Sequence, residues 1–486
     1  MGKNILIFSD GTGQAGGLTP DQALSNVYKL YRASRVGSDS HIDPGQQVAF
    51  YEAGLGTDND GGTIPLRSLK WFRKFWSSTT GTGISRNIAD CYEAIVKHYE
   101  PGDRIYLFGF SRGAYTVRCV GGVLGLCGIP TRNKDGLAVP RYGKALREIA
   151  DEAVAKVYEH GSGKEDADGV YKAERLEKAR RFRVKYASGT ESLSNTVPYF
   201  IGVFDTVAAL GASGIRWVLL FVLLSAAIGT FAGVVAAILA LMPWFTFLPS
   251  LACVMTIIMA IVVIGFWKTS YKSIENFPPG KNSWHLVLRR LRFYDDSLNK
   301  RVQFARHAIA IDETRLDFDR VQWGSSEDAP AKVEGMPEWL KQWWFVGNHS
   351  DIGGSYPEDE SRLSDIALQW MADEASSLPE PIIIDRAKLN LYPDVSGMQH
   401  CEVKAMRDSY PNWWPIKLRP SWKERLRLIK PDAVLHASVL RRLSLNAASD
   451  YGISKQYLPG NLSYSKEILL ANSRKPIAAS LTRSNP

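Results

Sequence analysis

The stretch Pro101-Gly102-Asp103-Arg104-Ile105-Tyr106-Leu107-Phe108-Gly109-Phe110-Ser111-Arg112-Gly113 decides the fold of this chain. Arg104 to Phe108 is a short apolar run with the character of a buried strand, opened by a Pro-Gly-Asp break. Gly109-Phe110-Ser111-Arg112-Gly113 then matches G-x-S-x-G, and Arg112 to Cys127 continues as a helix of small residues. Strand, sharp turn and helix in that order are what a nucleophile elbow requires. Gly109 and Gly113 leave room for the turn and for the close packing of the helix on the sheet. Ser111 is thereby placed at the carboxyl edge of the sheet, near the helix N-terminus.

Outward from the elbow, strands and helices alternate. Lys3 to Phe8 reads as a buried strand ending in Ser9-Asp10-Gly11-Thr12-Gly13, and Leu24 to Ser34 has helical apolar spacing. Val48 to Tyr51 reads as a second strand, and Ile84 to Tyr99 repeats apolar residues at helical intervals. Tyr199 to Phe204 and Trp343 to Val346 are further strands, and Leu363 to Ala375 is an amphipathic helix. Such alternation predicts a mostly parallel α/β sheet flanked by helices. The stretch from about 141 to 185 is rich in Lys, Arg, Glu and Ala and predicts solvated helices inserted into that fold.

A hydrolase built on the elbow needs an acid and then a histidine further along the chain. Of the eight histidines, His349 follows the strand at Trp343 and opens a glycine-rich loop, His349-Ser350-Asp351-Ile352-Gly353-Gly354. Asp205 ends the strand Tyr199 to Phe204, where a carboxylate can orient an imidazole and stabilise its protonated form. Asp351 is the rival acid, but two residues from His349 is an awkward separation, which leaves it a supporting place in the loop. For the oxyanion hole, one N–H donor is the amide of Arg112. The second is assigned to the glycine loop, from Gly11 or Thr12, with Asp10 bracing it. No metal-ligand spacing is legible, and no cofactor is expected.

The chain has 486 residues and a net charge of +9, with 45% hydrophobic and 22% charged residues. That composition excludes a disordered chain, and five scattered cysteines exclude a disulfide scaffold. The average hides a segment: the 51 residues from Trp217 to Trp267 contain no Asp, Glu, Lys, Arg, His, Asn or Gln. Met242-Pro243-Trp244-Phe245-Thr246-Phe247-Leu248-Pro249 divides it into two arms. Each arm is long enough to cross a hydrocarbon core of about 30 Å. A two-helix transmembrane hairpin is therefore expected over 216–268, inserted between two parts of the α/β domain, 1–215 and 269–465, with a tail at 466–486. Arg216, Lys268 and Lys272 flank the outer ends. The positive-inside rule then places the catalytic domain on the cytoplasmic side of a membrane, expected to be a bacterial inner membrane. Residues 268–306 carry nine Lys or Arg against three acids, which fits an anionic lipid surface beside the second arm.

Several motifs together resemble a known family. They are Asp10-Gly11-Thr12, Asn26-Val27, Pro101-Gly102-Asp103, Gly109-Phe110-Ser111-Arg112-Gly113-Ala114-Tyr115 and Gly202-Val203-Phe204-Asp205-Thr206-Val207. Asp312-Glu313-Thr314-Arg315, His349-Ser350-Asp351-Ile352-Gly353-Gly354 and His436-Ala437-Ser438-Val439 also fit. The chain is similar, from about residue 3 to about 462, to the α/β-hydrolase-like family that includes the type VI secretion phospholipase effectors of the first class. The resemblance implies a phospholipase or esterase with a triad of Ser111, Asp205 and His349. The apolar segment reads as a departure from that family.

The expectation from the sequence is thus a membrane-anchored serine hydrolase acting on acyl esters, with membrane phospholipid as both substrate and anchor. A carboxylesterase or thioesterase for soluble acyl esters, or a non-enzymatic membrane protein on a degenerate hydrolase fold, are the other readings. Nucleic acid is excluded as a partner, because no zinc spacing, helix-turn-helix or RNA-binding motif accompanies the basic charge. Protein partners are not legible.

Overall fold

The computed structural model describes residues 2–462 apart from 12, 15, 18–22, 55–81, 162–168, 208–214, 243, 245, 287–297, 322, 325–328, 332–333, 412 and 414–420. Its centre is a seven-stranded, wholly parallel sheet in the order β2-β1-β3-β4-β7-β8-β9. The strands are β1 (Asn4–Ser9), β2 (Gln47–Glu52), β3 (Arg104–Phe110), β4 (Phe200–Phe204), β7 (Phe304–Ala310), β8 (Leu340–Phe345) and β9 (Val434–Leu435). A separate two-stranded hairpin pairs β5 (Tyr271–Ile274) with β6 (Ser283–Leu286). The chain begins in the interior of the sheet at β1, moves out to β2 and returns past β1 to β3. That reversal opens a crevice at the carboxyl ends of β1 and β3, the usual place for a site in an open α/β sheet.

Strands in such a sheet are covered on both faces, so they read as continuous apolar runs. In β1 and β3, Ile5, Ile7, Ile105 and Leu107 face one layer, together with Ile201 and Val203 of β4. That layer holds α2 (Thr82–His98), α3 (Arg112–Cys127), α4 (Gly143–Asp151) and α5 (Val170–Tyr186). Leu6, Phe8, Tyr106, Phe108 and Phe200 face the other layer, with α1 (Asn26–Ser34) and α9 (Arg362–Ser376). On this face the aromatic rings form a ladder, Phe8 on Phe108 at 5.0 Å and Phe108 on Phe200 at 5.3 Å. Each fully buried side chain of this size contributes about 1.5–3 kcal/mol.

The charged stretch at 141–185 differs from its expectation. Its described part is mostly helical, but not a solvated addition. Leu146, Ile149 and Ala150 of α4, Ala153, Val154 and Val157 of the π-helical turn Glu152–Tyr158, and Ala179, Phe182 and Tyr186 of α5 are buried in the core. Many of their charged neighbours lie on the outer faces, although Glu174 and Arg183 are buried, which is why composition alone read as solvated.

The apolar segment forms two helices, α6 (Ile215–Leu239) and α7 (Phe247–Ser270). Among the described residues one helix is long and apolar enough to cross a membrane, Phe247–Gly265, with a mean hydropathy of 2.7. In α6 the described apolar part, Ser225–Leu239, is shorter. The structure thus supports one crossing-length helix where the sequence suggested two. Strands from before and after this segment share the central sheet. The tail at 466–486 lies outside the described residues.

Candidate active site

Ser111 joins β3 to α3 with φ 58° and ψ −121°, a conformation that L-residues seldom adopt. Its N–H donates to the carbonyl of Phe204 at 3.1 Å, which pins the elbow to the end of β4. The elbow glycines are required sterically. A Cβ on Gly113 would lie 2.0 Å from the carbonyl oxygen of Ser9, and one on Gly109 would lie 2.5 Å from that of Gly113. Ser111 itself is 8% exposed.

Asp205 follows β4 and is fully buried, also at positive φ (39°). Its Oδ2 accepts a hydrogen bond from His349 Nδ1 at 2.6 Å. Arg427 grips the same carboxylate from the other side, Nη1 to Oδ1 at 2.6 Å and Nη2 to Oδ2 at 3.0 Å, and Ala310 N–H donates to Oδ1 at 3.0 Å. Burial alone would raise the Asp205 pKa. The Arg427 charge and the His349 bond outweigh it, so the carboxyl sits well below the usual carboxylate range.

His349 begins α8 (His349–Gly353) after β8, two strands beyond β4 and Asp205 in the sheet. Phe110, the neighbour of Ser111, lies against the ring at 4.7 Å, and Phe318 meets it edge-on at 5.1 Å. The backbone N–H of His349 donates to Glu313 Oε2 at 3.2 Å. Glu313 is held by Arg315, whose guanidinium covers the Phe318 ring at 3.6 Å. The ring is therefore fixed by a carboxylate, two aromatic side chains and a backbone bond. On the side away from Asp205, His349 Nε2 is buried and has no hydrogen-bond partner among the described residues.

The remaining predicted residues have other partners. Asp351 caps α8 reciprocally with Asn348 and accepts His400 N–H at 3.0 Å and His400 Nδ1 at 2.7 Å. His400 continues to Glu360 Oε2 at 3.1 Å. Asp10 accepts from Gly11 N–H and Tyr51 Oη–H, each at 2.7 Å, and from Ser25 Oγ–H. Burial pushes the Asp10 pKa up to about 6 against those bonds. Gly11 lies beside the elbow, since a Cβ there would be 3.4 Å from Ser111 Cβ. Its N–H is directed to Asp10 in this conformation, so the second oxyanion donor is not displayed here. Arg112 occupies the first position of α3, and Thr12 lies outside the described residues.

Sequence reasoning did not find Arg427, Glu313, Phe318 or His400. Glu313 stands within a motif shared with the family, Asp312-Glu313-Thr314-Arg315, which was a usable signal. Arg427 stands in a run of basic residues and gave none. The motif residue Asn26 is structural: buried in α1, its Nδ2 donates to the carbonyls of Ile352 and Ser364, each at 2.9 Å, and so ties α1 to α8 and α9.

The fold is that of a parallel α/β protein with a serine-bearing elbow at its switch point and a carboxylate-held imidazole close by. The chain belongs to the T6SS phospholipase effector Tle1-like catalytic domain family, whose model matches residues 3–242 and 253–374. The match runs through most of both apolar helices and omits 243–252, the connection and the start of α7, so the apolar segment is largely within the family match rather than a departure from it. An uncharacterised protein of Saccharomyces cerevisiae is 31% identical over 131 residues, 26% of this chain and 18% of that one. Among solved structures, an uncharacterised protein from Pseudomonas aeruginosa is similar at 18% identity over 86% of this chain and 52% of that one, with a TM-score of 0.33. The Tle1 effector bound to the VgrG spike of the type 6 secretion system is similar at 17% identity over 75% and 53%, with a TM-score of 0.27. The chain thus spans about half the length of those two solved chains.

Proposed function

We propose that this chain is a membrane-anchored serine hydrolase that cleaves acyl esters of phospholipids. Ser111 is the nucleophile, His349 the general base and then acid, and Asp205 the carboxylate that holds and stabilises the imidazole. The reading rests most on one observation: His349 Nδ1 bonds Asp205 at 2.6 Å, the opposite nitrogen is buried without a partner among the described residues, and the ring lies 4.7 Å from that of Phe110, next to Ser111. In the reaction, His349 Nε2 takes the Ser111 proton as Oγ attacks the acyl carbonyl. The N–H of Arg112 stabilises the oxyanion, and the proton passes to the departing lysolipid alkoxide. Water then attacks the acyl-serine by the same path in reverse, releasing a fatty acid and restoring Ser111. Asp205 stays ionised throughout, because Arg427 holds its charge.

The apolar helices are the anchor in this reading. Phe247–Gly265 has 19 residues and only 6% of it is buried. At a 1.5 Å rise it covers about 28 Å, close to the hydrocarbon thickness. Trp244 and Leu248, at the connection, are 88% and 73% exposed, which water would penalise and a bilayer would not. In this reading the helices act as a membrane hairpin, and the flanking basic residues support a catalytic domain on the cytoplasmic face, as at a bacterial inner membrane.

Labelling with a fluorophosphonate tests the nucleophile. Wild type becomes covalently modified at Ser111, and Ser111→Ala does not. An unlabelled wild type that is folded by circular dichroism would refute the enzyme reading and leave a non-enzymatic membrane protein.

A further inference from the structure

A second cluster of functional side chains lies on the α5 side of the molecule, apart from the residues of the catalytic site. His160 follows the π-helical turn Glu152–Tyr158, Glu174 stands in the first turns of α5, and His285 is on β6. His160 and Glu174 are buried, and His285 is partly exposed. His160 Nε2 is 2.5 Å from Glu174 Oε2, and His285 Nε2 is 3.0 Å from both oxygens of Glu174. All three ligating atoms lie within 4.8 Å of one another. The Tyr171 ring meets His285 edge-on at 4.8 Å and fixes its plane.

Two imidazole nitrogens aimed at one carboxylate are more than a hydrogen-bonded pair needs. Both histidines direct a ring nitrogen at the one Glu174 carboxylate, and His160 Nδ1 is buried with no partner among the described residues. Two neutral imidazoles and one carboxylate are the protein donors of an open zinc site, with a fourth position left for water. Such ligands sit about 2.0–2.2 Å from the ion, hence roughly 3.3 Å from each other. The His285–Glu174 spacing lies within about 0.3 Å of that, the His160–Glu174 spacing would open by about 0.8 Å, and no pair of ligating atoms is more than 4.8 Å apart. Imidazole and carboxylate together favour late first-row dications over Mg²⁺ or Ca²⁺, which prefer all-oxygen shells.

We propose that His160, Glu174 and His285 bind a divalent transition-metal ion of the zinc type, with water completing the shell on the exposed side of His285. The ion is a structural clip. The hairpin β5–β6 continues directly from α7, and Trp267, Tyr271 and Trp284 stack in series across that junction at 5.5 and 6.3 Å. Metal bound here ties the foot of the long apolar helix to α5 and thus to the core of the α/β domain. Because His160 Nδ1 has no acceptor among the described residues to lock its tautomer, the affinity expected is about 10–100-fold below that of a site with such an acceptor.

The test uses the untagged full chain in detergent, stripped with chelator, equilibrated with zinc chloride, desalted and assayed for metal by mass spectrometry. Wild type should retain about one zinc per chain, and His285→Ala and Glu174→Gln should retain almost none. His285 lies on a surface hairpin, so its variant keeps the fold, as circular dichroism would verify. Cobalt(II) offers an independent readout on wild type alone: a visible absorption band of four- or five-coordinate cobalt, displaced by zinc. A wild type that retains no zinc and gives no cobalt band overturns the proposal. So does a folded pair of variants that hold as much zinc as wild type, since the cluster would then be a metal-free hydrogen-bonded clasp. Fluorophosphonate labelling of Ser111 is unaffected by either result.

Discussion

Asp205 is held from two sides, by the imidazole it orients and by the Arg427 guanidinium. Arg427 touches no reacting atom in this account and is a positioning residue, so removing it should change pH behaviour as well as rate. In Arg427→Met the carboxylate loses its counter-charge while staying buried, and its pKa rises. With the guanidinium charge gone, the acid limb of kcat/KM, measured on a soluble short-chain ester, should move to higher pH. Arg427→Lys should recover part of that shift. The stability effect has a definite sign. A carboxyl with a depressed folded pKa stabilises the fold above its ordinary value near 3.8 and loses that contribution as pH falls through the lower folded value. Arg427→Met moves this loss to higher pH and, by stranding a buried charge, costs about 3–5 kcal/mol in urea denaturation at neutral pH. At this scale Ser111, Asp205 and His349 were legible because each follows a readable strand. Arg427 was not, since Arg425, Arg427 and Lys430 read together as a solvated basic run, whereas Arg427 turns inward and Leu426 and Leu428 are exposed.

At the scale of elements, the elbow is the feature on which the others are registered. Close approach of α3 to β1 depends on Gly113, whose missing Cβ leaves room for the backbone of Ser9 and Asp10. The obstacle is backbone rather than a flexible side chain, so relief requires the helix or the strand to shift. Gly113→Ala should therefore lose about 3 kcal/mol or more of unfolding free energy, and fluorophosphonate labelling with it. An unchanged denaturation midpoint would show that α3 is packed less closely than described. The elements most easily read were those with uninterrupted periodicity: β1, β3, β4, α2, α3 and α9. Strand β7 escaped because Phe304–Ala310 carries Arg306 and His307 at its centre, and charge there argues against a buried strand. Arg306 is nonetheless fully buried, paired with Glu374. It therefore cannot serve the lipid surface that its basic neighbourhood suggested. Strand β9 has two residues, too few to show a period.

Across the whole molecule, a sheet with both faces covered carries a long, mostly exposed apolar helix on the way from β4 to β7. The split between an ordinary α/β chain and a 51-residue uncharged segment was plain in the sequence. Both arms are helical, α6 over 25 residues and α7 over 24, and among the described residues α7 is the one that reaches crossing length. If the helices anchor the enzyme, deleting 217–267 should leave hydrolysis of a soluble ester nearly unchanged. Hydrolysis of vesicle phospholipid should fall roughly tenfold or more, through the lost effective concentration at the surface. Equal loss of both would mean that the segment is needed for folding. The most direct test of the central claim is lipid analysis of phosphatidylethanolamine–phosphatidylglycerol vesicles incubated with the purified full chain or with Ser111→Ala. The account predicts lysophospholipid and free fatty acid in equal amounts with wild type and neither with the variant. Vesicles left intact by a folded, fluorophosphonate-reactive wild type would contradict it.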